Sequence, residues 1–248
     1  NYDHAFQGPI TLRHALEQSR NVPAVRVMEQ LGPEQVIAYA RRLGLESALP
    51  PYLAVALGAA EATLVEMTSA FSVFPNQGVR MHPYPILKVT DREGNVLEEN
   101  RPEPRHAIRA DTAYVMTNLL RGVVQRGTGA RAAALDWFIG GKTGTTDDYT
   151  DAWFIGFDPE ITLGVWVGYD RRRSMGRAGT GSDTALPIWV EIMKAWIGDR
   201  ENPSRFEPPG NIVFVSVDKG TGDAVLAGTP GAITEVFISG TQPGLGFR

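Results

Sequence analysis

Two apolar runs, 152–157 and 161–169, are separated only by Asp158-Pro159-Glu160. Parallel strands need a crossover of a dozen residues or more, so a link this short forces an antiparallel hairpin. Just upstream, Trp137-Phe138-Ile139 leads into a further extended run, Gly140-Gly141-Lys142-Thr143-Gly144-Thr145. Everything else in the chain has to be arranged around that meander.

The flanking segments read mainly as helices. Thr11 is placed to cap a helix over 11–20 with Leu12 and Leu16 on one face, and Asn21 and Pro23 should break and restart it. Further helices are expected over 23–31 and 33–43, with Gly44 as the stop after the second. Thr63 and Glu66 have capping-box spacing ahead of Met67, Ala70, Phe71 and Phe74. A hairpin is expected over 86–99 and an extended linker over 101–105. Asp111 should cap a helix to about residue 125, and Asp183 or Thr184 a last helix through Trp189, Ile192, Met193 and Trp196. Beyond 200 the chain is rich in Pro and Gly, with one clear strand over 212–217 and a turn at 219–222. Helices around an antiparallel meander give an α+β fold, an antiparallel β-sheet with helices packed on it. The division expected is a domain over 1–200 and a β-rich tail or small appended module over 201–248.

Composition removes several function classes. With 43% hydrophobic and 21% charged residues in 248, the chain can bury a sizeable core. A net charge of −4 argues against nucleic acid as a partner, and Arg171-Arg172-Arg173 reads as a solvated loop. No cysteine is present, which removes thiolate chemistry. His4, His14, His82 and His106 lack metal-ligand spacing, so no metal and no cofactor is expected. No apolar run approaches the roughly 18–20 residues of a membrane-spanning helix.

The chemistry-bearing candidate is Lys142-Thr143-Gly144-Thr145. Lysine supplies a point charge for a carboxylate, and threonine hydroxyls can donate to it. Gly144, lacking a Cβ, lets another backbone approach the strand. The bland alternative is an exposed lysine on a glycine-relaxed strand. Ser19-x-Asn21 is a second, weaker signal that gains weight only beside Lys142.

With Gly8-Pro9-Ile10-Thr11-Leu12-Arg13, Ser19-Arg20-Asn21-Val22-Pro23-Ala24, Ala56-Leu57-Gly58, Asp151-Ala152-Trp153-Phe154-Ile155-Gly156-Phe157 and Val165-Trp166-Val167-Gly168, these motifs resemble the transpeptidase domain of class A (bifunctional) penicillin-binding proteins. The resemblance covers nearly the whole chain and implies the penicillin-binding/β-lactamase-like transpeptidase fold. By position it gives Ser19 the role of proton relay and Asn21 that of binding the substrate's peptide group. Lys142, Thr143 and Thr145 would hold the terminal carboxylate of a D-Ala-D-Ala stem peptide or of a β-lactam. The Thr145 N–H would be one oxyanion donor. The parent enzyme would cross-link peptidoglycan by serine acyl transfer on the periplasmic side of the bacterial inner membrane. Its contact with the membrane would be through an N-terminal anchor outside this chain, and a glycosyltransferase domain would precede the transpeptidase.

One departure matters. The family's nucleophile lies in an S-x-x-K motif ahead of S-x-N, and no serine precedes Ser19 here. The Ser216-Val217-Asp218-Lys219 match comes after Lys142, at the end of a strand rather than the start of a helix. The expectation is therefore a domain lacking its N-terminal part and, as an isolated chain, inert. Two rival readings remain: a D,D-carboxypeptidase or β-lactamase-type hydrolase, and a non-catalytic β-lactam- or muropeptide-binding module. Upstream sequence separates both from the transpeptidase.

Overall fold

The computed structural model describes residues 6–244. His4 and the opening Asn1-Tyr2-Asp3 lie outside the described residues. Its centre is the expected meander, a three-stranded antiparallel sheet of β5 (Gly140–Thr145), β6 (Asp151–Phe157) and β7 (Thr162–Gly168) in that order. Register pairs Lys142 with Ile155 and Trp153 with Trp166.

Burial is nearly continuous along β6, so both of its faces are covered. On one face lies α6 (Leu186–Ile197), whose Trp189 meets Phe154 edge to face at 5.0 Å between centroids and donates its indole N–H to the Leu163 carbonyl at 2.9 Å. Leu186 and Met193 belong to the same buried cluster, and each large side chain removed from water contributes about 1.5–3 kcal/mol. On the other face lies α4 (Leu64–Ser72), with Thr68 directly over Gly164. The fold is thus helix–sheet–helix, the α+β arrangement expected.

The termini of α4 and α6 show how locally such elements are specified. α4 carries the full capping box, with the Thr63 hydroxyl accepting from the Glu66 N–H and the Glu66 carboxylate accepting from the Thr63 N–H. α6 is capped further upstream than expected. Thr180 accepts from the Asp183 N–H and opens a wide turn over Gly181–Ala185 that runs into the helix. The Asp183 N–H is shared between the Thr180 hydroxyl and the Thr180 carbonyl, which also accepts from the Thr184 N–H at 2.9 Å.

Three further expectations are corrected. The break after the first helix is present, but α2 (Asn21–Leu31) restarts at Asn21, two residues before the expected Pro23. Pro23 is tolerated because N–H groups of the first turn have no intrahelical acceptor. α5 (Ala110–Arg126) has Arg109, not Asp111, at its cap; Asp111 is buried in the first turn between Arg109 and Asn211. The stretch over 101–105 is only partly linker, because β4 (Pro104–His106) pairs with β1 (Val79–Met81).

The expected hairpin is present as β2 (Lys88–Thr90) and β3 (Val96–Glu99), and α3 runs Pro33–Leu43 with Gly44 left-handed at its end. After residue 200, β8 (Ile212–Asp218) pairs with a strand not foreseen, β9 (Ala232–Ile238), and Ser216 sits within β8 opposite Thr234. No described helix is long and apolar enough to cross a membrane.

Candidate functional site

Ser19 owes its position to the end of α1 (Leu12–Glu17). Thr11 caps that helix as expected, accepting from the His14 N–H at 3.2 Å. At the other end the Ser19 N–H donates to the Leu16 carbonyl and the Arg20 N–H to the Ala15 carbonyl, at 3.1 and 2.8 Å. This pair of bonds is a Schellman motif, whose left-handed position normally holds glycine. Here Ser19 holds it, at φ +52°. The chain turns sharply, α2 starts two residues later, and Ser19 and Asn21 are both left exposed.

The face of α1 that is buried is not the expected Leu12 and Leu16 stripe. Leu12 is 65% exposed, whereas Arg13 and Glu17 are buried. The reason is charge pairing with α5: Glu17 accepts from Arg126 at 2.5 Å, and Arg13 reaches the Asn118 side chain at 2.5 Å. A buried carboxylate is tolerated only when its oxygens are matched in this way. Gln18 adds a bond to the Arg126 carbonyl at 3.1 Å.

Behind α5 the chain passes directly under α1. A Cβ at Gly127 would stand 2.1 Å from the Glu17 carbonyl oxygen, so only glycine permits the approach. The next residue, Thr128, is a junction. Its N–H donates to Glu17 O at 3.1 Å, its hydroxyl shares a hydrogen bond with Thr143 at 2.7 Å, and its carbonyl accepts from the Ser182 hydroxyl at 3.2 Å.

Lys142, Thr143, Gly144 and Thr145 all lie on β5. Lys142 projects from the strand to donate to the Ser19 hydroxyl oxygen at 2.7 Å and to the Thr143 carbonyl at 2.9 Å. The residue as a whole is half-buried, but its ammonium end is enclosed, and desolvation pulls its pKa down to about 8. Thr145 is exposed, and its hydroxyl accepts from the Gly181 N–H at 2.9 Å. A hydroxyl that accepts in this way keeps its own proton for another acceptor. A backbone does approach β5 closely at Gly144, but the glycine that permits it is Gly181, where a Cβ would stand 2.6 Å from the Gly144 carbonyl oxygen. A Cβ on Gly144 itself would meet only the Trp153 side chain, at 3.1 Å.

Ser19 and Lys142, 123 positions apart, are therefore in direct contact. Thr143 joins them through Thr128, and Thr145 lies on the same strand, while Asn21 begins α2 beside Ser19. The sequence reading missed Thr128, Gly181, Ser182 and the Glu17–Arg126 pair. One signal was available: Arg126-Gly127-Thr128-Gly129 is a double-glycine turn directly behind a 17-residue helix. Among the described residues no group of three or more His, Cys, Asp or Glu side chains could hold a metal ion. What the geometry offers is an exposed hydroxyl with a cationic proton donor behind it, next to a strand edge lined with threonines.

The comparisons agree on one family. The model of the penicillin binding protein transpeptidase domain matches residues 1–194. Penicillin-binding protein 1A of Aquifex aeolicus is 43% identical over 244 residues, covering 98% of this chain and 33% of the relative. Its counterpart in Pseudomonas aeruginosa is 36% identical, covering 98% and 36%. The chain thus spans about a third of the length of these curated relatives. Among solved structures, penicillin-binding protein 1A from Haemophilus influenzae superposes with a TM-score of 0.89 at 29% identity, over 98% of this chain and 42% of that one. PonA1 of Mycobacterium tuberculosis in complex with penicillin V shares the fold, with a TM-score of 0.72 at 23% identity, over 84% and 62%. By sequence and fold together, the chain belongs to the penicillin-binding protein transpeptidase family.

Proposed function

We propose that this chain supplies the proton-relay and carboxylate-binding half of a peptidoglycan D,D-transpeptidase. The observation that carries the reading is the 2.7 Å bond from Lys142 Nζ to Ser19 Oγ. Because the ammonium donates, the Ser19 oxygen is the acceptor and its own proton can point outward. In the reaction that proton passes to the nitrogen of the departing D-Ala and is replaced from Lys142. A lysine pKa near 8 suits such exchange at neutral pH.

Thr145 and Thr143, with the remaining ammonium proton of Lys142, receive the terminal carboxylate of the stem peptide. Asn21 binds the peptide group ahead of the scissile bond, and the Thr145 N–H contributes to the oxyanion hole. The covalent step belongs to a serine in an S-x-x-K segment upstream of these 248 residues. The isolated chain accordingly neither cross-links nor takes up penicillin. β-Lactams bind the assembled site as stem-peptide mimics, in keeping with the penicillin V complex of PonA1. The parent protein works on the periplasmic side of the inner membrane, held there by an anchor outside this chain.

The test is fluorescent-penicillin labelling of this chain and of the full-length protein, read on denaturing gels and by intact mass. Labelling of the full-length protein alone is the expected result. Labelling of the short chain would relocate the nucleophile, and no labelling of a folded full-length protein would overturn the transpeptidase assignment.

A further inference from the structure

The β8–β9 hairpin lies beyond residue 194, where the match to the transpeptidase family ends. Its one inward-reaching charge is nevertheless built into the Ser19 side of the site. Glu235, on β9, takes both carboxylate oxygens to the Arg13 guanidinium, one at Nε and one at Nη2. The two side chains are only 7% and 14% exposed. A bidentate guanidinium–carboxylate pair fixes angle as well as distance.

Arg13 then spends its other contacts on the machinery. It holds Asn118 of α5 and stands 3.6 Å from Glu17, one helical turn along α1. Glu17 takes Arg126 on the same carboxylate oxygen, while its backbone carbonyl receives the Thr128 N–H. From there the path forks, two residues along the chain to Ser19, and through the Thr128 hydroxyl to Thr143. Room for the cluster is made by Gly122, where a Cβ would stand 2.2 Å from Glu17 Oε1 and 2.8 Å from Arg13 Nη1. Two cations and two carboxylates are thus packed into the α1–α5 interface, one carboxylate coming from outside the family-matched span.

We infer that the β8–β9 hairpin is a positioning arm of the Ser19–Lys142 site, acting through Glu235 on Arg13 to hold α1 and its terminal turn at hydrogen-bonding distance from Lys142. The inference rests on the transpeptidase reading of that site. Glu235 touches no substrate. Its carboxylate keeps Arg13 oriented, Arg13 and Arg126 keep Glu17 seated, and the seated helix end presents Ser19. Arg13 left with one carboxylate partner fewer re-pairs toward Glu17 or solvent, and the turn shifts with it.

The test uses the full-length protein, wild type, Glu235→Gln and Glu235→Asp, with a fluorescent penicillin. Stopped-flow traces separate the pre-covalent Kd from the acylation rate constant, and burst amplitude gives the fraction of active sites. A positioning role predicts unchanged amplitude, Kd within twofold, and a rate constant about tenfold lower in Glu235→Gln. Glu235→Asp, which keeps the charge, should fall in between. A merely structural role would instead lower amplitude and melting temperature and leave the rate per active site at the wild-type value. That result overturns the inference even if Glu235→Gln folds poorly, because the Asp variant is read on the same scale. Acylating wild type with an unmoved rate constant in both variants refutes the arm alone. A wild type that takes up no penicillin refutes the transpeptidase reading, and the arm with it.

Discussion

Replacing Ser19 by glycine and, separately, by alanine isolates the conformational strain at the proposed relay. Both substitutions delete the hydroxyl and deprive Lys142 of the same acceptor, so that loss cancels in the comparison. What differs is the Cβ. At φ +52° alanine keeps the side-chain clash of the left-handed region, of about 1–2 kcal/mol, which glycine escapes. Glycine in turn gives the unfolded chain more freedom, an opposing effect of about 0.4–1 kcal/mol. The balance leaves Ser19→Gly more stable than Ser19→Ala by about 0.8 kcal/mol, or roughly 2–3 °C in Tm for a domain of this size. Urea denaturation of the two variants of the full-length protein, followed by tryptophan fluorescence, measures the difference directly. Equal stability, or alanine the more stable, would falsify the Schellman geometry that places Ser19. Penicillin acylation should be abolished or strongly slowed in both, so the more stable variant is no more active, which is the signature of strain retained for function.

Gly127→Ala sets a Cβ against the backbone of Glu17, which cannot yield; overpacking and the lost Thr128 bond should together cost about 2–4 kcal/mol by chemical denaturation. Asp158→Ala strips the acceptor from the Trp137 indole and from the Glu160 and Ile161 N–H groups at a buried position, and should cost about 3 kcal/mol in the same assay. Lys142 has a folded pKa of about 8 against 10.5, so acylation that needs its ammonium form should decline as pH rises through about 8. Because burial of that charge opposes folding, Lys142 should also make stability rise between about pH 8 and 10.5, a slope that Lys142→Met removes. Glu66, bonded by the Ser47 hydroxyl and by backbone N–H groups, and Asp111 are both depressed to about 2 from 4.5 and 3.8. Burial of Asp111 opposes its shift, and Arg109 and Asn211 outweigh it. The stability these carboxylates contribute is present above about pH 4.5 and is lost as pH falls toward 2, so Glu66→Gln should flatten the acid limb of a Tm–pH curve.

The meander was legible because its evidence is local: a three-residue link permits one strand pairing, and a Thr63–Glu66 pair permits one helix start. The site's two ends were legible for the same reason, Lys142-Thr143-Gly144-Thr145 as a motif on a strand and Ser19-x-Asn21 as a motif near a turn. Where the reading failed, the deciding contact came from far along the chain. Leu12 and Leu16 give α1 an apolar stripe, yet Arg13 and Glu17 are buried because Arg126 and Glu235 lie 109 and 222 positions away. Asp111 has the chemistry of a cap but is claimed by Asn211, 100 positions on. For Thr128 the double-glycine turn marked only a place, not a role, since its three partners come from α1, β5 and the turn before α6.

The two halves of the site are held by different physics, and this decides which substitutions can move them apart. Lys142, Thr143 and Thr145 are fixed by strand register, and the apolar cluster of Phe154, Trp189 and Met193 sets the stability of that sheet. Trimming one of those side chains lowers the population of folded protein without changing where β5 points. Ser19 instead stands in a strained turn at the end of a six-residue helix too short to be stable alone. Among the described residues, that helix is docked against α5 largely by polar contacts, Arg13 with Asn118, Glu17 with Arg126 and Gln18 with the Arg126 carbonyl, with Gly122 and Gly127 allowing the close approach. A shift of an ångström there breaks a 2.7 Å hydrogen bond and leaves the core untouched. A small displacement at the α1–α5 interface can therefore cost function while the sheet core stays intact, whereas a trimmed core side chain costs stability without moving β5.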